Sequence, residues 1–96
     1  ALIADGDSMI GDRIHDGDVV FIRQQNDADD GSIVAVAVDD EMMLKHISRV
    51  KAPDGTTLYT IFTSSNPKYA PISVGGENET RNVYILGKAV AFRSLL

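Results

Sequence analysis

Cysteine and tryptophan are absent from this 96-residue chain, and aromatic residues make up only 6% of it. Without cysteine there is no disulfide staple, no thiolate metal site and no thiol nucleophile, so stability has to come from packed apolar side chains. Basic residues are scarce as well. Nine Lys and Arg stand against fourteen Asp and Glu, giving a net charge of −5 and a pI near 4.7. That is the wrong sign for a surface that neutralises phosphates, and it argues against a grip on DNA by this chain alone. The longest strongly apolar run, Ile33 to Val38, falls far short of the ~20 residues that cross a bilayer, and the N-terminus has no basic segment followed by an apolar one. The chain is expected to be soluble and cytoplasmic, with no membrane partner. Ala1 is not a start methionine, and Leu2-Ile3 begins almost at once with what reads as folded chain, so a piece of a longer protein is expected.

What is present is ordinary globular material: 44% hydrophobic and 24% charged residues, enough for one small core and too little length for two domains. Apolar runs rich in Val, Ile, Phe and Tyr, cut by Gly, Asp, Asn and Pro, have the pattern of short strands rather than helices. Strands are expected over Val19–Arg23, Ser32–Val38, Glu41–Val50, Leu58–Thr63 and Val83–Phe92. Asp39-Asp40 reads as a hairpin turn, because Asp tolerates positive φ. Pro53-Asp54-Gly55 is a stronger turn, and Asn66-Pro67 breaks the pattern before another hairpin. The polar stretch Gly75 to Asn82 is a loop, and Gly87 marks a bulge or a close backbone approach. Ile33 to Val38 is apolar on both alternating sets, as in a strand covered on two sides. The final strand carries more apolar residues, among them Tyr84, Leu86 and Val90, than a monomer of this size has to hide, which points to pairing with a second subunit.

Two residues invite chemistry: Ser8, in the tight segment Gly6-Asp7-Ser8-Met9, and Lys45, among Met42, Met43, Leu44 and Ile47. In an extended Glu41–Ser48, Lys45 points the same way as Met43 and Ile47, which places an ammonium group beside apolar neighbours. Burial lowers a lysine pKa, and a neutral lysine within hydrogen-bond reach of a serine hydroxyl supplies the base that histidine supplies in a triad. By residue type alone the bland alternative is the commoner one: Ser8 as an exposed turn residue and Lys45 as a solvated edge-strand charge.

Gly6-Asp7-Ser8-Met9, Asp16-Gly17-Asp18-Val19-Val20, Ile33-Val34-Ala35-Val36 and Leu44-Lys45-His46-Ile47, in this order, resemble the C-terminal peptidase domain of the self-cleaving LexA and phage CI-type repressors. Ser65-Asn66-Pro67-Lys68-Tyr69-Ala70-Pro71-Ile72 and Ile85-Leu86-Gly87-Lys88-Ala89-Val90 extend the similarity over nearly the whole chain. Gly11-Asp12, where many members carry a Pro, and His46, where Arg or Lys is usual, depart from the pattern.

The resemblance implies a mostly β peptidase domain of the LexA and signal-peptidase kind, a β-ribbon or β-clip built from short hairpins and occupying residues 1–96. It implies Ser8 as nucleophile, Lys45 as base, and the backbone N–H groups of Asp7 and Ser8 as oxyanion donors. The substrate is then the protein's own upstream linker, cut at an Ala-Gly-like bond. The DNA-binding domain and cleavage loop would lie N-terminal to this chain, and operator DNA would be bound only through them. The implied partners are a second copy and, as inducer, a RecA-type filament or an antirepressor. Two further readings stay open: a non-cleaving oligomerisation module that binds an antirepressor, and a polymerase accessory protein resembling UmuD.

The remaining features carry less. The Asp-rich loops fail the calcium-loop template, since anchoring its Gly at Gly31 puts Ala28 at a ligand position and Ala37 where Glu is required. His15 and His46 have no ligand spacing. No metal and no cofactor are expected. Asn78-Glu79-Thr80 is a glycosylation sequon without a secretory signal. Met9, Met42 and Met43 fit an apolar peptide groove, with Met9 and Met43 as its first candidates, although core filling is the commoner use of Met.

Overall fold

The computed structural model describes residues 1–94. Seven strands follow one another: β1 (Leu2–Ile3), β2 (Val19–Gln24), β3 (Ile33–Val38), β4 (Glu41–Lys51), β5 (Thr57–Thr63), β6 (Ile72–Val74) and β7 (Val83–Arg93). Among the described residues a single 3₁₀ turn, Ile10–Asp12, interrupts them. All pairings are antiparallel within one sheet of order β1-β2-β7-β3-β4-β5-β6. The expected mostly β fold is what forms, and the strand expectations fall on β2 to β5 and β7. The longest strands, β4 and β7, have 11 residues each and exceed the expected spans by one. Register shifts at Phe21/Ile22, Ala35/Val36 and Val50/Lys51 bend the pairings, and bulges of this kind let a long strand curve around a small core.

Local chemistry explains the turns. Asp39 and Asp40 both have positive φ, 48° and 68°, the left-handed pair that a two-residue hairpin needs to match strand twist. Asp39 is also tied across to Asn82: its N–H donates to Asn82 O, and its Oδ1 accepts from Asn82 N. Gly87 is a close approach as expected, since a Cβ there would lie 2.4 Å from Arg23 O and from Ile22 Cγ2.

The sheet divides the core in two. On one face Val34, Val36 and Val38 pack with Ile47, Phe62 and Val74. On the other, Ala35 and Leu44 pack with Ala4, Met9, Ile14 and Val20. β3 feeds both clusters because its side chains alternate between the faces, and five of its six residues are buried.

β7 is not a sheet edge. It pairs with β3 over Val83–Lys88 and with β2 over Gly87–Arg93, so among the described residues only Gly87 and Lys88 ladder on both sides. Its apolar residues split accordingly: Leu86 packs against the second cluster, while Tyr84, Val90 and Phe92 stay exposed.

Candidate active site

Lys45 sits in the interior of β4, opposite Val34 of β3. Its strand neighbours Leu44 and Ile47 are buried, and Lys45 itself is only 7% exposed. The sequence puts it there because β4 is pinned on both sides, by β3 and by β5, and its apolar residues serve both clusters. Burial strips water from the ammonium and holds its pKa below the ordinary lysine value, with the Glu41 carboxylate pulling partly the other way.

Among the described residues the amine has one hydrogen-bond partner, and it is not Ser8. Lys45 Nζ donates to Ser64 Oγ at 2.5 Å, a buried contact. Ser64 is the residue just past β5, and its own exposure is 9%. His46 pairs with Thr63, so continuing the ladder by one residue sets Ser64 opposite Lys45. The aromatic ring of Tyr69 covers a further side of the amine, with its centroid 5.5 Å away, a cation–π distance.

Ser8 is half-buried in the segment between β1 and the 3₁₀ turn. The base of that loop is closed by Ala4 N–H donating to Asp18 O and Gly17 N–H donating to Ala4 O, both at 2.8 Å. Gly6 N–H donates to Asp16 Oδ1 at 2.9 Å. Beyond Ser8, Met9 and Ile14 are sunk in the core at 3% and 1% exposure and anchor the far end.

The connector between β5 and β6 grips this loop. Asn66 Nδ2 donates to Asp7 O at 3.1 Å, and Asn66 N–H donates to Ser8 O at 3.0 Å. Tyr69 Oη donates to Asp7 Oδ1 at 2.5 Å, and the Lys68 ammonium lies 3.6 Å from Asp7 Oδ2. The Tyr69 bond, aided by Lys68, holds the Asp7 carboxyl below the usual carboxylate range, and the same bond pushes the Tyr69 phenol up. The segment from Ser64 to Tyr69 thus touches both residues singled out by the sequence. Sequence reading treated it as a pattern break and a stretch of family resemblance, and missed Ser64 altogether.

Two departures from the family pattern have physical reasons. A Cβ on Gly11 would fall 2.5 Å from Ser65 O, so this position needs glycine where the connector passes. Asp12, next to it, accepts from Ser65 on neither oxygen but has its N–H bound to Ser65 Oγ at 3.2 Å, while its carboxylate meets His46 Nε2 at 2.7 Å. The His46 Nδ1 faces Gly31 O at 3.1 Å. His46 therefore ties the loop after Ser8 to the strand that carries Lys45. Two further aspartates have structural work as well: Asp27 and Asp30 both pair with Arg49.

Ser8 and Lys45 line one cavity of about 540 Å³, together with Asp7, Met9, Met43 and Tyr69. The rest of its wall is largely apolar, with Leu2, Ile3, Met42 and Leu44, and carries two further carboxylates, Asp5 and Glu41. Of the two groove candidates, Met43 is a partly buried wall residue, whereas Met9 belongs mainly to the core beneath. The cavity can take an extended apolar peptide beside a serine hydroxyl and a desolvated amine.

Comparison with known proteins gives the family. The profile of the Peptidase S24-like family matches residues 1–90. The chain is 43% identical over 89 residues to a LexA repressor of Anaeromyxobacter dehalogenans (strain 2CP-1), covering 88% of this chain and 34% of the relative. It is 42% identical over 90 residues to the LexA repressor of Oleidesulfovibrio alaskensis, covering 94% and 39%. LexA repressor 2 of Pseudomonas putida is 46% identical over 74 residues, covering 77% and 34%. This chain thus spans about a third of the length of these relatives. With the matching profile running from the first strand into the last, the chain belongs to the Peptidase S24-like family, in the form carried by LexA repressors.

Proposed function

We propose that this chain is the self-cleavage and dimerisation domain of a LexA-like repressor, with Ser8 as nucleophile and Lys45 as general base. The observation that carries the reading is a lysine amine buried in mid-sheet that shares one cavity with a half-buried serine. A purely structural lysine on a strand reaches for water; this one is held away from it.

In the proposed reaction, Ser8 Oγ attacks the scissile carbonyl of the protein's own linker as that linker lies in the cavity. A C–O bond forms, the carbonyl π pair moves onto oxygen, and the serine proton passes to neutral Lys45. Collapse of the tetrahedral intermediate breaks the C–N bond, and Lys45 returns the proton to the leaving amine. Water then releases the acyl group by the same steps in reverse. The peptide bond is trans, so an Asp7 carbonyl turned to Asn66 points the Ser8 N–H the opposite way, away from the connector. That orientation suits an oxyanion donor, with the Asp7 N–H as the second.

In this reading, dimerisation draws on the exposed apolar residues of the paired β2 and β7, Phe21, Val90 and Phe92. Operator DNA, an inducing RecA-type filament or antirepressor, and the cleaved linker belong in this reading to the rest of a LexA-like protein. The acidic balance of the chain agrees with DNA affinity residing elsewhere.

The test is self-cleavage of the full-length protein followed by gel across pH. The base form of Lys45 increases as pH rises, and its lowered pKa brings that rise below the ordinary lysine range. Cleavage is expected to accelerate through this titration, and Ser8→Ala and Lys45→Ala to abolish it. Cleavage surviving in either variant sinks the dyad. Folded, dimeric protein that never cleaves at any pH leaves the oligomerisation module as the reading.

A further inference from the structure

We propose that Ser64 is a positioning residue for Lys45, its hydroxyl fixing the amine so that the nitrogen lone pair is presented to Ser8. The inference rests on the dyad reading above and adds a third residue to it.

A lysine nitrogen hangs on a flexible four-carbon stem, and nothing in its own chemistry aims it. Here the only hydrogen bond from that nitrogen, among the described residues, runs to Ser64 Oγ at 2.5 Å in a buried setting. A neutral amine has two N–H groups and one lone pair. Donating one N–H to Ser64 fixes the nitrogen in space, and the Tyr69 ring 5.5 Å off limits how it can turn. The lone pair is then left for the open, cavity side, where Ser8 stands.

Ser64 is not a rival nucleophile. Ser8 lines the cavity and is half-buried, whereas Ser64 does not line it and is 9% exposed, so a peptide in the cavity meets Ser8. The pairing of Lys45 with Ser64 is also built into the sheet. The bulge at Val50/Lys51 shifts the β4–β5 register by one residue; without it Lys45 would face Thr63.

The experiment uses diisopropyl fluorophosphate on the 96-residue chain, so that no upstream linker is required. Ser8 Oγ forms a bond to phosphorus, the P–F bond breaks, fluoride leaves, and the serine proton passes to Lys45 and on to solvent. Mass spectrometry reads the site and rate of adduct formation across pH. Ser64→Val and Ser64→Thr differ only in the hydroxyl, and Ser64→Ala is a second hydroxyl-free variant should Val disturb packing; thermal melts confirm that each is folded. Loss of the hydroxyl is expected to lower the plateau rate ~10–100-fold, the scale of misplacing a reacting group by about an ångström. It is also expected to move the pH midpoint down, because the ammonium loses an acceptor, while Ser64→Thr keeps both properties. A role in packing alone would leave the midpoint where it was.

Labelling at Ser8 that needs Lys45 but has the same rate and midpoint without the Ser64 hydroxyl overturns this proposal and spares the dyad. An adduct on Ser64 overturns it by reversing the roles. Folded protein that is not labelled at Ser8, or is labelled equally in Lys45→Ala, brings down the dyad reading and this proposal with it.

Discussion

Lys45 and Ser8 reach the same cavity by opposite means. Lys45 lies inside a strand paired on both sides, with its neighbours committed to the two hydrophobic clusters. Ser8 lies in a loop without strand pairing of its own, and polar ties from Asn66 and Tyr69, about sixty residues on, fix the backbone around it. Lys45 is placed by non-directional burial plus sheet register; Ser8 is placed by directional hydrogen bonds. The first arrangement is stiff and costly to disturb, while the second is more readily adjusted.

The comparison breaks most visibly at Phe62. This ring is 1% exposed, pairs with Ile47 across β4–β5 and packs beside the Lys45 strand. Phe62→Ala is expected to cost about 3–5 kcal/mol in urea denaturation. A loss below about 1 kcal/mol would mean that the strand side is not held by its core.

On the loop side the expected costs fall more on reactivity than on stability. Asn66→Ala removes the side-chain bond to Asp7 O while keeping the backbone bond to Ser8 O. It is expected to cost about 1 kcal/mol of stability, yet to slow fluorophosphonate labelling of Ser8 ~10-fold through loop misplacement. Equal and proportionate losses, or none in labelling, would show that the loop holds its geometry without the connector. The smallest effect is expected from Tyr69→Phe, which removes the bond to Asp7 but keeps the ring over Lys45. The bond lies at the surface, so the denaturation midpoint should hardly change, while the Asp7 carboxyl, followed by NMR titration, should rise back toward its usual range. An unmoved Asp7 titration would remove Tyr69 from the set of ties.

The strand side was the more legible. Alternation set Lys45 with Met43 and Ile47, and the Asp39-Asp40 turn gave the right β3–β4 hairpin, because local backbone preference and burial there agree. The place of β7 was not legible, because its order in the sheet, between β2 and β3, is a long-range fact. Ser64 was missed for a more specific reason. A plain count back from the Pro53-Asp54-Gly55 turn sets Thr63 across from Lys45, and only the Val50/Lys51 bulge brings Ser64 there instead.

Composition, turn residues and the two-residue period by themselves determined a small disulfide-free β domain with a lysine on an apolar face, because those depend on neighbours in the chain. Which hydroxyl meets that lysine, and what holds the serine loop in place, was decided by tertiary structure. Both depend on one bulge and one connector, whose effects appear only when strands far apart in sequence are laid side by side.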